Sequence, residues 1–549
     1  MAFAPVLPET EKIRVCECEL MGAYLLEDDT NVLLSAVERQ AKESPDSPAF
    51  FSATEGETTY GELWRAACGI ARGLSEKVSG RGPVLVLGPK SALTVASFLG
   101  CLMSGHAYVP VDAELPARRV SDIAGQIEGA TMLATCGVPE TLRNVLPPGR
   151  VIDAAALLSS DLASGEPCAP LPREQWVSGE ETQYIIFTSG TTGRPKGIEV
   201  TASNVACFQG WLAGFPVVRD GGRVFLDQAH YSFDLSEYEL VGALTTGGCL
   251  HAVDASAASD FRALFADLSA SGVEVWVSTP SFADMCLADP SFDSGLLPDL
   301  KLFLFCGEAL HHTTAEKLRA RFGDDVVVAN TYGPTESTVA VTYCEIGDAE
   351  LANPAALPVG YPRRGTELRI VDHGTGEPVP AGQTGEIVIA GDTVARGYYN
   401  NPQKTSEAFF SSTMADGAPT RAYRTGDLGF IDKKGLLHCA GRLDSLVKLN
   451  GFRIELGEVE GALEEVAGVR HAVVVPATRA GRVTSLCAFV VADKGPGQTN
   501  FTLGRALKAE LARSLPAYMV PRQIRVLDEM PLNANGKADR KALAASVSR

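Results

Sequence analysis

Short apolar runs alternate with amphipathic segments through the larger, first part of the chain. Residues 33–50 begin with a helical spacing of apolar positions and end in a Pro/Ser turn, and residues 58–74 and 91–105 repeat that spacing. Strand-like apolar runs occur at residues 82–88, 106–112, 272–280, 300–308 and 325–333. Helices that alternate with short apolar strands are typical of mostly parallel sheets covered by helices. The pattern predicts stacked α/β sheets that bind a ligand beyond the carboxyl ends of the strands.

The pattern changes after about residue 355. Residues 366–391 alternate strand-like runs with Gly/Pro turns, which predicts a small β-rich subdomain. Residues 435–466 then cross a charged, glycine-containing stretch and enter a helix. The chain after this helix carries two further helical patterns and two strands, enough for a separate small α+β domain. Residues 1–30 show no clear period and are interpreted as an N-terminal extension.

Composition and charge narrow the classes of function. The chain of 549 residues is too long for one ordinary core, so two or more domains are expected. A net charge of −19 argues against sequence-independent nucleic-acid binding, which needs a basic surface. No apolar run approaches the length of a membrane span, and the N-terminal residues lack a secretory signal pattern. Thirteen scattered cysteines without a C-x-x-C ladder favour reduced thiols in a cytoplasmic protein over a zinc site.

Residues 184–200, YIIFTSGTTGRPKGIEV, place a hydroxyl- and glycine-rich loop directly after an apolar strand. Glycine lets the backbone approach a ligand closely, and clustered hydroxyls, backbone N–H groups and a lysine suit a phosphate. The spacing is not that of a Walker loop, because Lys196 follows a proline and precedes a glycine. A polar surface turn is the alternative, and these residues alone leave both interpretations open.

Nine motifs in order resemble the adenylate-forming superfamily, which includes nonribosomal peptide synthetase adenylation domains, acyl-CoA synthetases and firefly luciferase. They cover the chain from about residue 33 to residue 541. In chain order the motifs are TTYGEL (58–63), LMSGHAYVPVD (102–112), FTSGTTGRPKG (187–197), NTYGPTE (330–336), GEIVIAGDTVARGYYNNPQKT (385–405), YRTGDLG (423–429), GRLDSLVKLNGFRIELGEVE (441–460), LPAYMVP (515–521) and NGKADR (535–540).

The resemblance implies an adenylation core over residues 31–441, a hinge at 442–445 and a mobile C-terminal domain over 446–549, with Asp444 at the hinge position. It also implies two half-reactions that use ATP and Mg²⁺. A carboxylate first attacks the α-phosphate of ATP and releases pyrophosphate, and a thiol then attacks the acyl-AMP and releases AMP. The AMP group turns the oxygen of a poorly electrophilic carboxylate into a good leaving group.

The resemblance assigns roles at the nucleotide end of the site. The residues that match nucleotide-binding positions are Thr188, Ser189, Gly190, Thr191, Thr192, Gly193, Lys196, Gly307, Glu308, Asn330, Tyr332, Gly333, Thr335, Asp427 and Arg442. Among them Tyr332 is expected against adenine, and Asp427 at the ribose hydroxyls. A solvated surface lysine remains the alternative for Lys196. Glu336 matches the Mg²⁺ ligand, and an oxygen ligand suits that hard cation.

Lys537 matches the lysine that reaches the substrate carboxylate and the α-phosphate. Negative charge gathers there in the transition state, so a positioned ammonium would stabilise it. The catalytic set implied by the resemblance is thus Lys537, Glu336 and Thr188. Without the surrounding NGKADR motif, Lys537 would read as an ordinary solvated side chain.

The substrate choice is expected near Asp234, which stands where amino-acid-activating members keep a carboxylate for the α-ammonium. A helix-cap role is the alternative for this residue. A buried amine without a partner is costly, so a carboxylate there selects amino acids over plain acids. The motif alignment lines the pocket with Asp234, Leu235, Tyr238, Ser278, Leu304, Cys306, Thr331, Val339 and Ala340. Bulky walls predict a small amino acid, with alanine the first choice.

Within the superfamily, SFDLS, FLFCGE and NTYGPTESTVAVT resemble D-alanine–carrier protein ligases, although Glu237 and Tyr238 depart from that group. Such departures leave L-alanine, glycine, serine or a β-amino acid open. The expected acceptor is the phosphopantetheine thiol of a separate carrier protein, with Lys448 and Gly451 lining the thiol tunnel, and free CoA is the alternative. An acyl- or aryl-CoA synthetase and a non-catalytic binding protein of the same fold are the rival functions.

Overall fold

The computed structural model describes residues 31–162, 169–189, 194–254, 260–443, 446–479, 482–495, 498–531 and 538–547. The α-helices are α1 (Val32–Glu43), α2 (Tyr60–Lys77), α3 (Ala92–Met103), α4 (Ala117–Ala124), α5 (Ala154–Leu162), α6 (Ala202–Leu212), α7 (Pro216–Arg219), α8 (Ser236–Thr245), α9 (Phe261–Ala270), α10 (Pro280–Leu287), α11 (His312–Phe322), α12 (Asp348–Leu351), α13 (Pro402–Ala408), α14 (Leu456–Glu464), α15 (Asn500–Ser514) and α16 (Arg540–Ala545). None of these helices has both the length and the hydropathy that a bilayer crossing requires.

The β-strands of the large domain lie between residues 48 and 442. In chain order they are β1 (Pro48–Ser52), β2 (Gly56–Thr59), β3 (Val84–Leu87), β4 (Tyr108–Val111), β5 (Thr131–Ala134), β6 (Val151–Asp153), β7 (Thr182–Thr188), β8 (Lys196–Thr201), β9 (Val224–Asp227), β10 (Cys249–Ala252), β11 (Val275–Ser278), β12 (Leu302–Phe305), β13 (Val327–Tyr332), β14 (Thr342–Glu345), β15 (Tyr361–Pro362), β16 (Thr366–Val371), β17 (Gly385–Gly391), β18 (Gly397–Tyr398), β19 (Phe409–Thr413), β20 (Pro419–Ile431) and β21 (Leu437–Arg442).

Two mixed sheets form the large α/β core. One has seven strands in the order β18-β8-β7-β4-β3-β5-β6, and the other has nine in the order β15-β14-β13-β12-β11-β9-β10-β1-β2. The central strands pair in parallel and are buried on both faces, as their continuous apolar runs predict. Parallel strands β11, β12 and β13 therefore bring their carboxyl ends to one edge, which is where the α/β pattern predicts a ligand. The α/β prediction is confirmed.

The β-rich segment after residue 355 forms an antiparallel sheet in the order β16-β17-β20-β19, with β21 added beside β20. This sheet places Asp427 opposite Arg442 in register, so the two side chains of the YRTGDLG and GRLD motifs meet. The strand prediction for this segment is confirmed.

The C-terminal part has its own α+β core. A hairpin joins β22 (Leu446–Leu449) to β23 (Phe452–Glu455), and a three-stranded sheet combines β24 (Val469–Arg479), β25 (Arg482–Ala492) and β26 (Gln523–Leu527). Helices α14 and α15 pack on one face of that sheet and α16 packs on the other. The sheet has one strand more than the sequence predicted, because β26 alternates exposed polar with partly buried apolar residues.

Polar and charged contacts fix the small core against the large one. Arg119 on α4 pairs with Glu458 on α14 at 2.6 Å, and both side chains are buried. Arg118 and Glu465 form an exposed ion pair beside it, also at 2.6 Å. Farther along the interface, Arg482 contacts Asp284 on α10. These contacts hold the β22–β23 hairpin over the carboxyl ends of the large sheets.

Candidate active site

A cavity of about 460 Å³ lies between the strand ends and the hairpin of the small domain. Its size is in the usual range for a small-molecule site. The expected site residues that line it are Thr188, Asp234, Leu235, Cys306, Gly307, Gly333, Thr335, Val339, Asp427, Arg442, Lys448 and Gly451. Motifs distributed from residue 187 to residue 460 therefore converge on one space.

Other expected site residues lie behind the cavity wall in the described part of the chain: Ser189, Lys196, Tyr238, Ser278, Leu304, Glu308, Asn330, Thr331, Tyr332, Glu336 and Ala340. Ser278 is directed into the core, where its hydroxyl accepts the indole N–H of Trp276 at 2.7 Å. The neighbouring Thr279 lines the cavity in its place, because the chain turns there into α10. A substrate contact at Ser278 stays a prediction.

Six expected site residues, Gly190, Thr191, Thr192, Gly193, Asp444 and Lys537, lie outside the described residues. Conversely, the cavity includes residues that the sequence analysis did not select: His230, Phe233, Phe282, Met285, Phe452 and Arg453. His230 and Phe233 flank Asp234 in the same HYSFD segment, so that segment was the available signal. No sequence pattern indicated Arg453 as a site residue, because it reaches the cavity only through the packing of the two domains.

One end of the cavity has a carboxylate, that of Asp234, on its wall. Desolvation raises the pKa of Asp234 to about 6, against an opposing hydrogen bond from Thr335. Asp234 lies immediately before α8.

 The carbonyl oxygen of Asp234 accepts a hydrogen bond from the N–H of Glu237 at 3.0 Å. The carboxylate is therefore held at the start of a buried helix and faces the cavity.

The floor of this end is closed by a hydrogen-bonded pair behind Cys306. The Tyr238 hydroxyl donates to Thr331 Oγ1 at 3.1 Å, and the Thr331 hydroxyl donates to the carbonyl of Phe305 at 2.8 Å. Tyr238 is fully buried, and its ring lies behind the lining of the cavity.

A second buried carboxylate lies close behind Asp234. Glu237 accepts a hydrogen bond from the Tyr108 hydroxyl at 2.7 Å, and burial raises its pKa to about 8. Its Oε2 atom and the hydroxyl of Tyr184 have no hydrogen-bond partner among the described residues. Glu237 is not among the residues that line the cavity, and it interacts with Asp234 from the protein interior.

The opposite end of the cavity suits a nucleotide. Asp427 accepts a hydrogen bond from the buried Tyr332 hydroxyl at 2.7 Å and pairs with Arg442. Thr188 Oγ1 and Arg453 Nε are buried and have no partner among the described residues, and both residues line the cavity. Unpaired buried donors are costly, so these two atoms fit an anionic ligand such as a phosphate.

Glu336 lies fully buried among cations. Arg453 Nη1 is 2.9 Å from Oε2 and 3.2 Å from Oε1, while Lys196 Nζ is 3.3 Å from Oε1. The Tyr398 hydroxyl donates to Oε1 at 2.9 Å. Burial opposes ionisation, but Arg453 and Lys196 outweigh it and hold the pKa of Glu336 well below its usual range.

Glu336 fits a magnesium site by the chemistry of its donor atoms. Mg²⁺ is commonly bound through one or two carboxylates together with substrate phosphates, so a single buried carboxylate beside a phosphate site is sufficient. Across the described residues there is no group of three His, Cys, Asp or Glu side chains that could hold a metal without a substrate.

Gly451 packs closely against Thr279 and Glu308 of the large domain where the hairpin enters the cavity. The N–H of Gly451 donates to Glu308 Oε1 at 2.7 Å, and its φ of +86° lies in the left-handed region. A Cβ atom there would come within 2.5 Å of Thr279 Cγ2. The next residue, Phe452, stacks on Tyr518 with ring centroids 3.9 Å apart, so aromatic packing supports the inserted hairpin.

Comparisons with known proteins agree with this two-domain architecture. The AMP-binding enzyme profile matches residues 37–399, and the AMP-binding enzyme C-terminal domain profile matches residues 458–537. The D-alanine--D-alanyl carrier protein ligase of Bacillus licheniformis is 40% identical over 522 residues, which cover 94% of this chain and 99% of that protein. The Bacillus anthracis protein of the same name is 40% identical over 518 residues, with the same coverage.

Two solved structures share the fold. Holo-PA1221, a nonribosomal peptide synthetase protein with adenylation and PCP domains, matches with a TM-score of 0.77 and 26% identity, over 94% of this chain and 84% of that chain. The Vibrio cholerae adenylation domain AlmE, in complex with glycyl-adenosine-5'-phosphate, matches with a TM-score of 0.76 and 23% identity, over 99% of both chains.

The fold and the cavity define a two-domain, nucleotide-using enzyme. The chain belongs to the AMP-binding enzyme family. It is an AMP-forming ligase that uses ATP with Mg²⁺.

Proposed function

We propose that this protein activates a small amino acid, alanine, as aminoacyl-AMP and then transfers it to the phosphopantetheine thiol of a separate carrier protein. The observation that carries the proposal is the position of Asp234 on the wall of a pocket whose floor is closed by Tyr238 and Thr331. The names of the relatives at 40% identity, which are ligases for D-alanine and a D-alanyl carrier protein, support the same substrate and acceptor.

Asp234 selects for an amine because its carboxylate is desolvated. An ammonium group beside it would stabilise the ionised form, whereas an acid without an amine would leave the carboxylate unpaired. A methyl side chain would lie toward Cys306 and the closed floor. A pocket distinguishes one methylene by about 1–3 kcal/mol, so larger side chains are rejected chiefly by this floor.

In the first half-reaction the chain binds both substrates and neutralises charge. Asp427 would hold the ribose hydroxyls, while Thr188 and the 188–193 loop would hold phosphate oxygens. Mg²⁺ would be held by Glu336 and would offset the charge of the triphosphate. Lys537 would place an ammonium beside the carboxylate and the α-phosphate, where charge builds up in the transition state.

In the second half-reaction the hairpin lines the route of the thiol. Gly451 leaves room where any side chain would meet Thr279, and Lys448 lines the cavity on the same hairpin. The sulfur attacks the acyl carbon, the bond to the AMP oxygen breaks, and AMP leaves with the electron pair. The division into a core at 31–441, a hinge at 442–445 and a mobile domain at 446–549 is part of this proposal.

The cytoplasm is the compartment that fits the proposed chemistry. ATP is the required substrate, and the ten cysteines described by the structure are free thiols. Reduced thiols are typical of proteins in a reducing compartment.

ATP–pyrophosphate exchange with a panel of acids tests the substrate. Alanine, in either stereoisomer, is expected to give the highest rate, with glycine and serine lower and phenylalanine or a long acyl acid at background. Asp234→Asn should abolish the preference for amines. A preference for phenylalanine or a fatty acid would overturn the proposal.

The acceptor is tested by mixing enzyme, ATP, Mg²⁺ and alanine with either a phosphopantetheine-bearing carrier protein or CoA. Intact mass of the carrier should increase by one alanyl group. Efficient alanyl-CoA formation without carrier loading would instead assign the chain to the CoA ligases.

A further inference from the structure

Three side chains contact the Glu336 carboxylate in this structure, and both of its oxygens are engaged. A carboxylate offers about four lone-pair sites. Arg453 contacts both oxygens, and Lys196 and Tyr398 contact Oε1. Because Glu336 is fully buried, solvent does not provide further ligands.

Two of these three partners belong to the large domain, and the third arrives with the small domain. Lys196 and Tyr398 lie on the paired strands β8 and β18. Arg453 lies on β23, and its carbonyl accepts a hydrogen bond from the Ser189 hydroxyl at 2.8 Å. The guanidinium therefore reaches Glu336 only when the hairpin occupies the cavity.

We propose that Arg453 and Mg²⁺ are alternative partners of the Glu336 carboxylate, so that the metal and the inserted hairpin exclude each other. The inference rests on the proposed function, because it takes Glu336 as the magnesium ligand. Mg²⁺ binds oxygen at about 2.0–2.1 Å and would compete with the guanidinium for the same lone pairs. A divalent cation added beside both Lys196 and Arg453 would also be repelled by these two side chains.

Replacement of Mg²⁺ by Arg453 at Glu336 would couple departure of the metal to entry of the hairpin. A buried carboxylate that loses its metal keeps only Lys196 as a cation, which leaves it poorly compensated. The guanidinium restores the second positive charge and thereby favours the arrangement seen here. Linkage makes the effect reciprocal, so that Mg²⁺ disfavours the inserted hairpin as much as the hairpin disfavours Mg²⁺.

The position of the small domain can be followed by chemical cross-linking. Arg118 and Glu465 form an exposed ion pair across the interface and lie outside the Glu336 cluster. The variant Arg118→Cys/Glu465→Cys, treated with a short bismaleimide, reports the fraction of molecules with the hairpin inserted. The two single-cysteine variants measure the background from native cysteines.

The decisive comparison is the change in cross-linked fraction when Mg²⁺ replaces EDTA at saturating pyrophosphate. In the otherwise unchanged protein Mg²⁺ should lower the ratio of inserted to withdrawn hairpin about fivefold or more. Glu336→Gln removes the metal ligand and measures any indirect effect of Mg²⁺ on pyrophosphate binding. Arg453→Met should respond as weakly as Glu336→Gln, because the exchange partner is gone.

Arg482→Met is the matched control, since Arg482 pairs with Asp284 across the same interface but does not contact Glu336. In Arg482→Met the cross-linked fraction without Mg²⁺ should be lower than in the unchanged protein, and Mg²⁺ should still reduce it. Arg453→Lys keeps a positive charge but lacks the planar guanidinium, so its cross-linked fraction should change with Mg²⁺ only in part. This variant keeps the test valid if Arg453→Met folds poorly. Equal responses in the unchanged protein, Arg453→Met and Glu336→Gln would overturn the proposal.

This assay uses neither ATP nor an amino acid, so it is independent of the substrate. Exchange assays on the same preparations report the proposed function separately. The two proposals can fail separately. If ATP–pyrophosphate exchange with alanine is lost but Mg²⁺ still lowers the cross-linked fraction, alanine is rejected as the substrate and the competition between Arg453 and Mg²⁺ is retained.

Discussion

The hydroxyl of Ser189 donates a hydrogen bond to the carbonyl of Arg453 at 2.8 Å, across 264 residues of sequence. The hydroxyl oxygen of Ser189 also accepts a hydrogen bond from the N–H of Glu455 at 3.1 Å. A serine of the predicted phosphate-binding loop is thus engaged by the backbone of the small domain. Under the proposed function we assign this arrangement to the thiol-transfer step, because the hairpin lies where the resemblance expects the phosphates of ATP.

Replacing Gly451 with alanine should impair thiol transfer more than adenylation. The left-handed φ of +86° and the 2.5 Å approach to Thr279 both penalise a Cβ atom. Single-turnover transfer to the carrier is expected to slow about tenfold or more, which corresponds to about 1.4 kcal/mol. Gly461→Ala is the matched control, because a Cβ at Gly461 meets no atom within 4 Å. Equal transfer rates in both variants would contradict this role of Gly451.

The affinity for the amino acid should weaken as the solution becomes acidic. Because desolvation raises the pKa of Asp234 to about 6, its carboxylate is ionised above that pH and protonated below it. The proton removes the charge that holds the ammonium, so 1/KM for alanine should fall roughly tenfold per pH unit below about 6. Steady-state kinetics from pH 5 to 8 provide the measurement, and Asp234→Asn should lack this pH dependence. A KM that stays constant down to pH 5 would count against the assignment.

Truncating Tyr238 should enlarge the accepted substrates and destabilise the fold. Tyr238→Ala removes a fully buried ring, at a cost of about 3–5 kcal/mol in the free energy of unfolding. Valine or leucine should gain about tenfold or more in kcat/KM relative to alanine. Tyr238→Phe removes only the hydrogen bond to Thr331 and should keep the preference for alanine. An unchanged specificity ratio in Tyr238→Ala would exclude Tyr238 as the floor.

Replacing Lys537 with alanine should slow adenylate formation by about 10²–10³-fold, as expected for the loss of one group that stabilises transition-state charge. The measurement is pyrophosphate release in a single turnover with alanine. Lys541→Ala, an exposed lysine on α16, is the control and should have little effect. Full-speed adenylate synthesis in Lys537→Ala would show that the proposed mechanism is wrong.

The parts of the fold and site that follow local rules could be predicted from the sequence. The run at 82–88 became the buried strand Val84–Leu87, and the helical spacing at 91–105 became Ala92–Met103. Thr188 and Asp234 line the cavity because their motifs end a strand or precede a helix, whereas Asp427 lies within β20, opposite Arg442. In each case a few neighbouring residues contain the signal.

The parts that depend on distant contacts could not be predicted. Arg453 reaches Glu336 across 117 residues, and nothing in the GFRIE segment indicates this partner. Tyr238 was expected on the pocket surface, but its hydrogen bond to Thr331 holds it one layer behind. Ser278 ends β11 with its hydroxyl on the indole of Trp276, and the direction of a side chain at a strand end depends on the turn that follows.

A crystal structure with a non-hydrolysable alanyl-adenylate analogue would test the central claim most directly. The account predicts the α-ammonium within hydrogen-bonding distance of Asp234, the methyl group toward Cys306, and the ribose hydroxyls on Asp427. An analogue bound with its ammonium directed away from Asp234, or with its adenosine outside the cavity bounded by Thr188 and Asp427, would contradict it.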